Sequence, residues 1–327
     1  MVRALVMGVL GCLLHPTAAQ EIPAKPTPCS FTGEPREWAT KALEGWGRLE
    51  QGPLHVKAPQ KPIVDFVDSG CLYILRPEMG GEFRAGGRSF TVEAKAHGEM
   101  VDAEVAEPFA VAKIAFTSTE HDGLPLTFVI ALPELWVFGP NDARKPAVTF
   151  MNVFMHEFSH VQHMAALKDI LSKVDGEGPG GKDAVEGRFR GNAEYVADYE
   201  RERDEFLAAA NAPDREHARE HLKVAADLMA KRRAKWFGAD KKLAVLDDVF
   251  LTMEGAGQWS AWSWSIDPRG GGMREEAAFK QTRTRRWWQD EGFLIFRAFD
   301  RVSPDWPALT FNEPGLTVDA LMKRALQ

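Results

Sequence analysis

A chain of 327 residues is long enough for one large domain or two modest ones, with a substantial buried core. Its apolar fraction of 45% and charged fraction of 27% exclude a disordered or fibrous protein. A net charge of −7 supplies no basic face, which argues against nucleic acid as a partner.

In chain order, the first segment reads as an export signal spanning 1–19. Met1-Val2-Arg3 is a short positive start, Ala4 to Leu14 is apolar and uncharged, and Pro16-Thr17-Ala18-Ala19 offers small residues for cleavage. An alternative uses Val9-Leu10-Gly11-Cys12 as a lipoprotein box, which would tether the chain by lipid at Cys12. No other segment approaches the roughly 18 uninterrupted apolar residues of a membrane span, so the mature chain carries no transmembrane segment. The reading is an exported protein, periplasmic or secreted. Removal of the signal leaves Cys29 and Cys71, an even pair in an oxidising compartment and a candidate disulfide.

Residues 20–59 form a Pro-rich leader followed by a short helix over Glu37 to Leu49, with Trp38, Leu43 and Trp46 on one side. From about 60 to 140 the signals are those of strands. Ile63 to Val67, Cys71 to Leu75, Ser89 to Ala94, Val111 to Phe116 and Leu126 to Leu132 are short apolar or alternating runs, and Pro133 suits a sheet edge. From 146 to 327 the chain turns helical. A long helix runs from Ala147 to about Val174 and stops at the Gly-rich stretch 176–181. Asn192 to Ala210 and Pro213 to Phe237 form a helical hairpin, Asp247 to Trp264 a further helix, and Val318 to Leu326 the last. There is no internal repeat. Strands first and helices after predict an α+β fold, with 60–327 as a single domain: a mixed or antiparallel sheet region followed by a mainly helical half.

The chemistry concentrates in His156-Glu157-Phe158-Ser159-His160. Four residues apart on a helix, His156 and His160 share a face, where two imidazoles can bind one tetrahedral zinc ion. Glu157 is rotated by about 100° from His156, so its carboxylate can reach a water at the metal without being a ligand. The flanking Val153, Phe154, Met155, Phe158 and Val161 are apolar, an unusual setting for two histidines and a glutamate unless they serve together.

The run Val153 to Val161 resembles the active-site helix of the zincin metallopeptidases. Gln162 departs from the apolar residue usual there. The longer metzincin pattern is absent, since His163 and Ala166 stand where its glycine and third histidine belong. The resemblance is therefore to the gluzincin branch, and it implies a zincin-like catalytic domain, one zinc ion, Glu157 as the catalytic carboxylate, and a third ligand that is a glutamate on a later helix. Three glutamates suit that last role. Glu254, in Met253-Glu254-Gly255-Ala256-Gly257-Gln258-Trp259, resembles the Glu-Gly-x-Ala-x-aromatic helix of many gluzincins and is preferred, with Gly255 expected to let this helix approach the histidine helix. Glu200 opens a Glu-x-Glu-x-Asp run similar to that of some membrane-associated zincins. Glu194, with Asp198 four residues on, resembles the thermolysin arrangement. The resemblance also implies that Leu126 to Leu132 is the edge strand to which an extended peptide or protein substrate adds.

Other features have plainer readings. His163 is a core residue or a group supporting the ligands. His217 and His221 lie in a charged, exposed stretch. Tyr195, Tyr199 and the late histidines are candidate donors to a developing oxyanion. The tryptophans at 259, 262, 264, 287 and 288 suit core packing, and Lys231 to Lys235 ends a helix where cations are favoured. The expectation is an exported zinc metallopeptidase or amide hydrolase. A non-catalytic exported binding or scaffold protein that keeps the zincin fold is the alternative.

Overall fold

A helix packed along its neighbour opens the described fold. In α1 (Glu34–Gln51), Ala39, Leu43, Trp46 and Leu49 fall on one buried stripe, and Pro35 in the first turn lets the helix begin before the expected Glu37. The structure is a computed structural model that describes residues 28–97, 125–136, 138, 145–174 and 184–327, plus the backbone of Met7–Gly8, Met100–Val101, Pro108–Phe109 and Ala115–Ser118. Apart from Met7–Gly8, the segment 1–19 expected to be an export signal, with Cys12, lies outside the described residues, as do 111–114 and the Gly-rich stretch 176–181.

Five strands form the mixed part of the sheet: β1 (Ile63–Val67), β2 (Cys71–Pro77), β3 (Phe83–Ala85), β4 (Arg88–Ala96) and β5 (Thr127–Ala131), in the order β5-β1-β2-β4-β3. β1 runs parallel to β5, with Val64 opposite Phe128, and the other pairings are antiparallel. Val64 and Phe66 face the helices, while Ile63 and Val67 join a smaller apolar cluster on the opposite face. Burial on both faces explains why this strand reads as a nearly continuous apolar run. The hairpin between β3 and β4 turns at Gly86 and Gly87, whose φ values of 57° and 76° suit a two-residue turn of positive φ. A Cβ at Gly86 would lie 2.1 Å from the carbonyl oxygen of Leu43, so glycine there also seats the hairpin against α1.

β5 is not an edge. Its other side pairs antiparallel with Ala115–Ser118, which pairs in turn with Met7–Gly8. The expectation that Leu126 to Leu132 forms a free edge is corrected, because both of its hydrogen-bonding rims are taken. Pro133 lies beyond the sheet and opens a short 3-10 turn, Pro133–Leu135. The disulfide between Cys29 and Cys71 is formed, with Cα atoms 5.8 Å apart, and ties the segment before α1 to the start of β2.

The helical part comprises α2 (Pro146–Val174), α3 (Ala184–Phe189), α4 (Ala193–Ala210), α5 (Arg215–Trp236), α6 (Lys241–Ile266), α7 (Glu275–Thr282), α8 (Trp287–Val302), α9 (Trp306–Thr310) and α10 (Val318–Leu326). The α+β expectation is met, and the caps explain the boundaries. Asn192 and Asp214 accept backbone N–H groups at the starts of α4 and α5. Asp240 accepts from Leu243 N at 3.0 Å, so α6 starts well before the expected Asp247.

α2 is buried on two opposite sides. Phe154 and Phe158 pack on the sheet through Phe66 and Phe128, with ring centroids 5.1–6.2 Å apart, and Trp46 of α1 meets Phe158 at 5.2 Å. His156 and His160, each two residues on and so about 200° around the helix, face α6. The amide of Gln162 accepts from Gln60 N and donates to Ala58 O, so this side chain pairs like a strand with the segment joining α1 to β1. Asn312 does the same to that segment, accepting from Lys57 N and donating to His55 O.

Candidate metal centre

α6 crosses α2 so that Glu254 stands against the two histidines. Donor atoms of His156, His160 and Glu254 all lie within 4.8 Å of one another, and all three residues are buried. His156 Nε2 is 3.2 Å from His160 Nε2 and 3.3 Å from Glu254 Oε2. An ion bonded at about 2.0–2.1 Å to tetrahedral ligands holds their donor atoms about 3.3–3.4 Å apart, so two edges of such a site are already formed. On the third side, His160 Nε2 is 4.0 Å from the other carboxylate oxygen, Oε1, so Glu254 spans both rings. The donor set therefore fits a tetrahedral cation such as zinc.

Glu157 lies beside these three. Its oxygens are 3.9 Å from His156 Nε2 and 3.9 Å from His160 Nε2, and the residue is buried. That places a carboxylate next to the point between the rings without adding it to the compact three-residue group.

The electrostatics favour the protonation states that ligands need. Burial, then the neighbouring His156, pushes His160 down to about 3, which keeps its imidazole neutral. Burial alone would raise Glu254, but its contacts with the two histidine rings, His156 first, and a hydrogen bond from Gln289 hold it at about 2. A neutral imidazole and an ionised carboxylate are the forms that bind a metal.

The supporting contacts are specific. Gln289 of α8 donates from Nε2 to Glu254 Oε2 at 2.8 Å. Gln258, one turn beyond Glu254, donates to Gln289 Oε1 at 3.3 Å. Gly257 abuts the ring of His156, where a Cβ would sit 2.8 Å from Cε1. Gly255 differs from expectation: its close neighbour is Gly292 of α8, 2.5 Å from where its Cβ would be, so it admits α8 and Gly257 admits the histidine helix.

The other candidates are elsewhere. Glu200 is exposed on α4, and Glu194 is exposed and paired with Lys235 at 2.6 Å, because the face of α4 that turns inward carries Tyr195, Tyr199 and Glu202 instead. Neither belongs to the compact group. Tyr195 accepts from Arg232 Nη1, and the Tyr199 hydroxyl donates to Trp287 O, so both are spent within the helical bundle. His217 is an exposed partner of Asp214, and His221 a half-buried partner of Glu205. His163 is buried and stacked on Phe311, with centroids 4.2 Å apart. Trp259 donates to Asp300, Trp262 lies under Arg297, and Trp288 donates to Asp247, all as core packing. Lys231 to Lys235 does close α5, with Arg233 and Lys235 in its last turn, but one member of the run, Arg232, turns inward. It is buried, with a bidentate bond to Glu202 at 2.6 and 2.9 Å.

Sequence reasoning missed Gln258 and Gln289. Gln258 is legible in principle, one turn from Glu254 on the same helix; Gln289 carries no local signal, being 35 residues away.

Fold and site together define an α+β protein with a buried His–His–Glu group and an adjoining glutamate. Comparison with protein-family models, curated proteins and solved structures finds no match.

Proposed function

We propose that this chain is an exported, single-zinc hydrolase acting on peptide or related amide bonds. His156, His160 and Glu254 would hold the ion, and Glu157 would be the catalytic carboxylate. The observation that carries the reading is the pair of ready-made tetrahedral edges in a buried site with a second carboxylate alongside. A zinc ion there supplies a Lewis acid that polarises a carbonyl and makes water easier to deprotonate.

The protein's own groups do the rest. Glu157, equidistant from the two ring nitrogens, is placed to accept a proton from water and deliver it to the departing amine. Gln289 keeps Glu254 facing the histidines. The aromatic packing of α2 on the sheet fixes the helix that carries both imidazoles. Export is supported by the Cys29–Cys71 disulfide and by the leader; none of the described helices is long and apolar enough to cross a membrane.

Metal analysis of the purified mature protein tests the reading. One zinc per chain is expected, with Glu157→Gln retaining the metal and losing hydrolysis of a mixed peptide library. Failure of the reconstituted wild type to bind zinc would overturn it. Full zinc occupancy with no turnover would favour a binding or scaffold role.

A further inference from the structure

Glu254 is the one member of the three-residue group that comes from α6, and its side chain can rotate to present either oxygen. What holds it lies on a third helix. Gln289 of α8 donates to Oε2 at 2.8 Å, the same oxygen that stands 3.3 Å from His156 Nε2. Gln289 is held in turn, since its carbonyl accepts from Gln258 at 3.3 Å. A carboxylate can accept only from the NH₂ end of the amide, so Gln258 and Glu254 agree on one orientation of Gln289.

The backbone is arranged to let this happen. Gly292 lies one turn beyond Gln289, and a Cβ on it would sit 2.7 Å from Gly255 Cα and 2.6 Å from Leu251 O. The two helices therefore meet backbone to backbone beside Glu254, close enough for a neutral side chain of glutamine length to span the gap. The neutrality matters. An arginine or lysine in this place would bond the carboxylate more strongly, but its charge would oppose a divalent cation at the oxygen it holds. A neutral donor orients the carboxylate and leaves its charge for the metal.

We propose that Gln289 is a positioning residue for the metal site, seated by Gln258, and that it sets the affinity of the site by fixing the carboxylate of Glu254. The inference rests on the metal-binding reading given above.

The test uses the full mature chain, stripped of metal and titrated with zinc against a chromophoric chelator, and with Co²⁺ followed by visible absorption. Gln289→Met, similar in length but without a donor, is expected to bind one ion with about 10–100-fold weaker affinity and an altered Co²⁺ spectrum. Gln258→Met should give a smaller loss in the same direction. The melting temperature of the metal-free protein separates positioning from structure. A positioning role leaves it within a few degrees of wild type, whereas a structural role lowers it and leaves affinity and spectrum unchanged. Wild-type affinity and spectrum in Gln289→Met overturn the inference while the metal reading stands. Absence of metal binding by the wild type overturns both. If Gln289→Met does not fold, Gln258→Met decides, and unchanged affinity and spectrum in that variant overturn the relay.

Discussion

Gly257 of α6 faces the imidazole of His156 so closely that a Cβ would lie 2.8 Å from both its Cε1 and its Nδ1. The ring is buried, so it has little room to retreat. Gly257→Ala is therefore expected to tilt His156 away from Glu254. Zinc affinity should fall at least tenfold, and overpacking should destabilise the metal-free protein by about 1–3 kcal/mol. Chelator competition and urea unfolding of the same variant measure the two effects separately.

Arg232 and Glu202 join α5 to α4 by two hydrogen bonds with both side chains buried, and Asp247 of α6 lies 3.3 Å from the same guanidinium. Glu202→Ala would remove the two short bonds to that cation and leave it only the longer contact with the Asp247 carboxylate. A loss of about 3–5 kcal/mol is expected by urea denaturation. Glu291 of α8 behaves differently. Burial, then the charge of Glu202, holds its carboxyl well above the usual range and so protonated. Glu291→Gln keeps a neutral polar group of the same shape, so a change of less than about 1 kcal/mol is expected in the same assay.

Asp248 gives stability a pH dependence. Burial, then the nearby Asp319, raises its pKa from 3.8 to about 7. The folded state thus binds this proton more tightly than the unfolded one. The stabilisation it provides is complete below about pH 4 and is lost as pH rises towards 7. Asp248→Asn stays neutral and can still accept from Asp319 N. Relative to wild type it should gain more stability at pH 8 than at pH 5, by on the order of 1–2 kcal/mol for this partly buried group. Urea midpoints at the two pH values check the sign; an equal or smaller gain at pH 8 would contradict it.

The disulfide closes a separation of 42 residues between Cys29 and Cys71. On the chain-entropy account such a loop contributes roughly 4 kcal/mol, which corresponds to a fall of roughly 6 °C in melting temperature when the bond is removed. Calorimetry of the Cys29→Ser/Cys71→Ser double variant measures it. Zinc stoichiometry should be unchanged, since neither cysteine is in the metal group.

Much of this molecule is legible along the chain because the relevant geometry is local. The four-residue spacing of His156 and His160 places them on one face by helix geometry alone, and the offset of Phe154 and Phe158 by two residues turns the aromatics to the other side. The strand-then-helix order and the boundaries of α4 and α5 follow from alternation and from Asn192 and Asp214 at the caps. The odd residue Gln162 is visible as a departure from an apolar pattern, but its purpose is not, because its partners lie about 100 positions earlier.

What the sequence by itself determined, then, is the histidine pair with Glu157 beside it. Which carboxylate stands against that pair is a matter of how helices cross. Glu194, Glu200 and Glu254 are alike as chemistry. Tertiary packing separates them: Gly257 lets α6 close on His156, Gly255 and Gly292 let α8 close on α6, and α4 turns Glu194 and Glu200 to solvent. Contacts between backbones distant in sequence decide such crossings, and no local period records them.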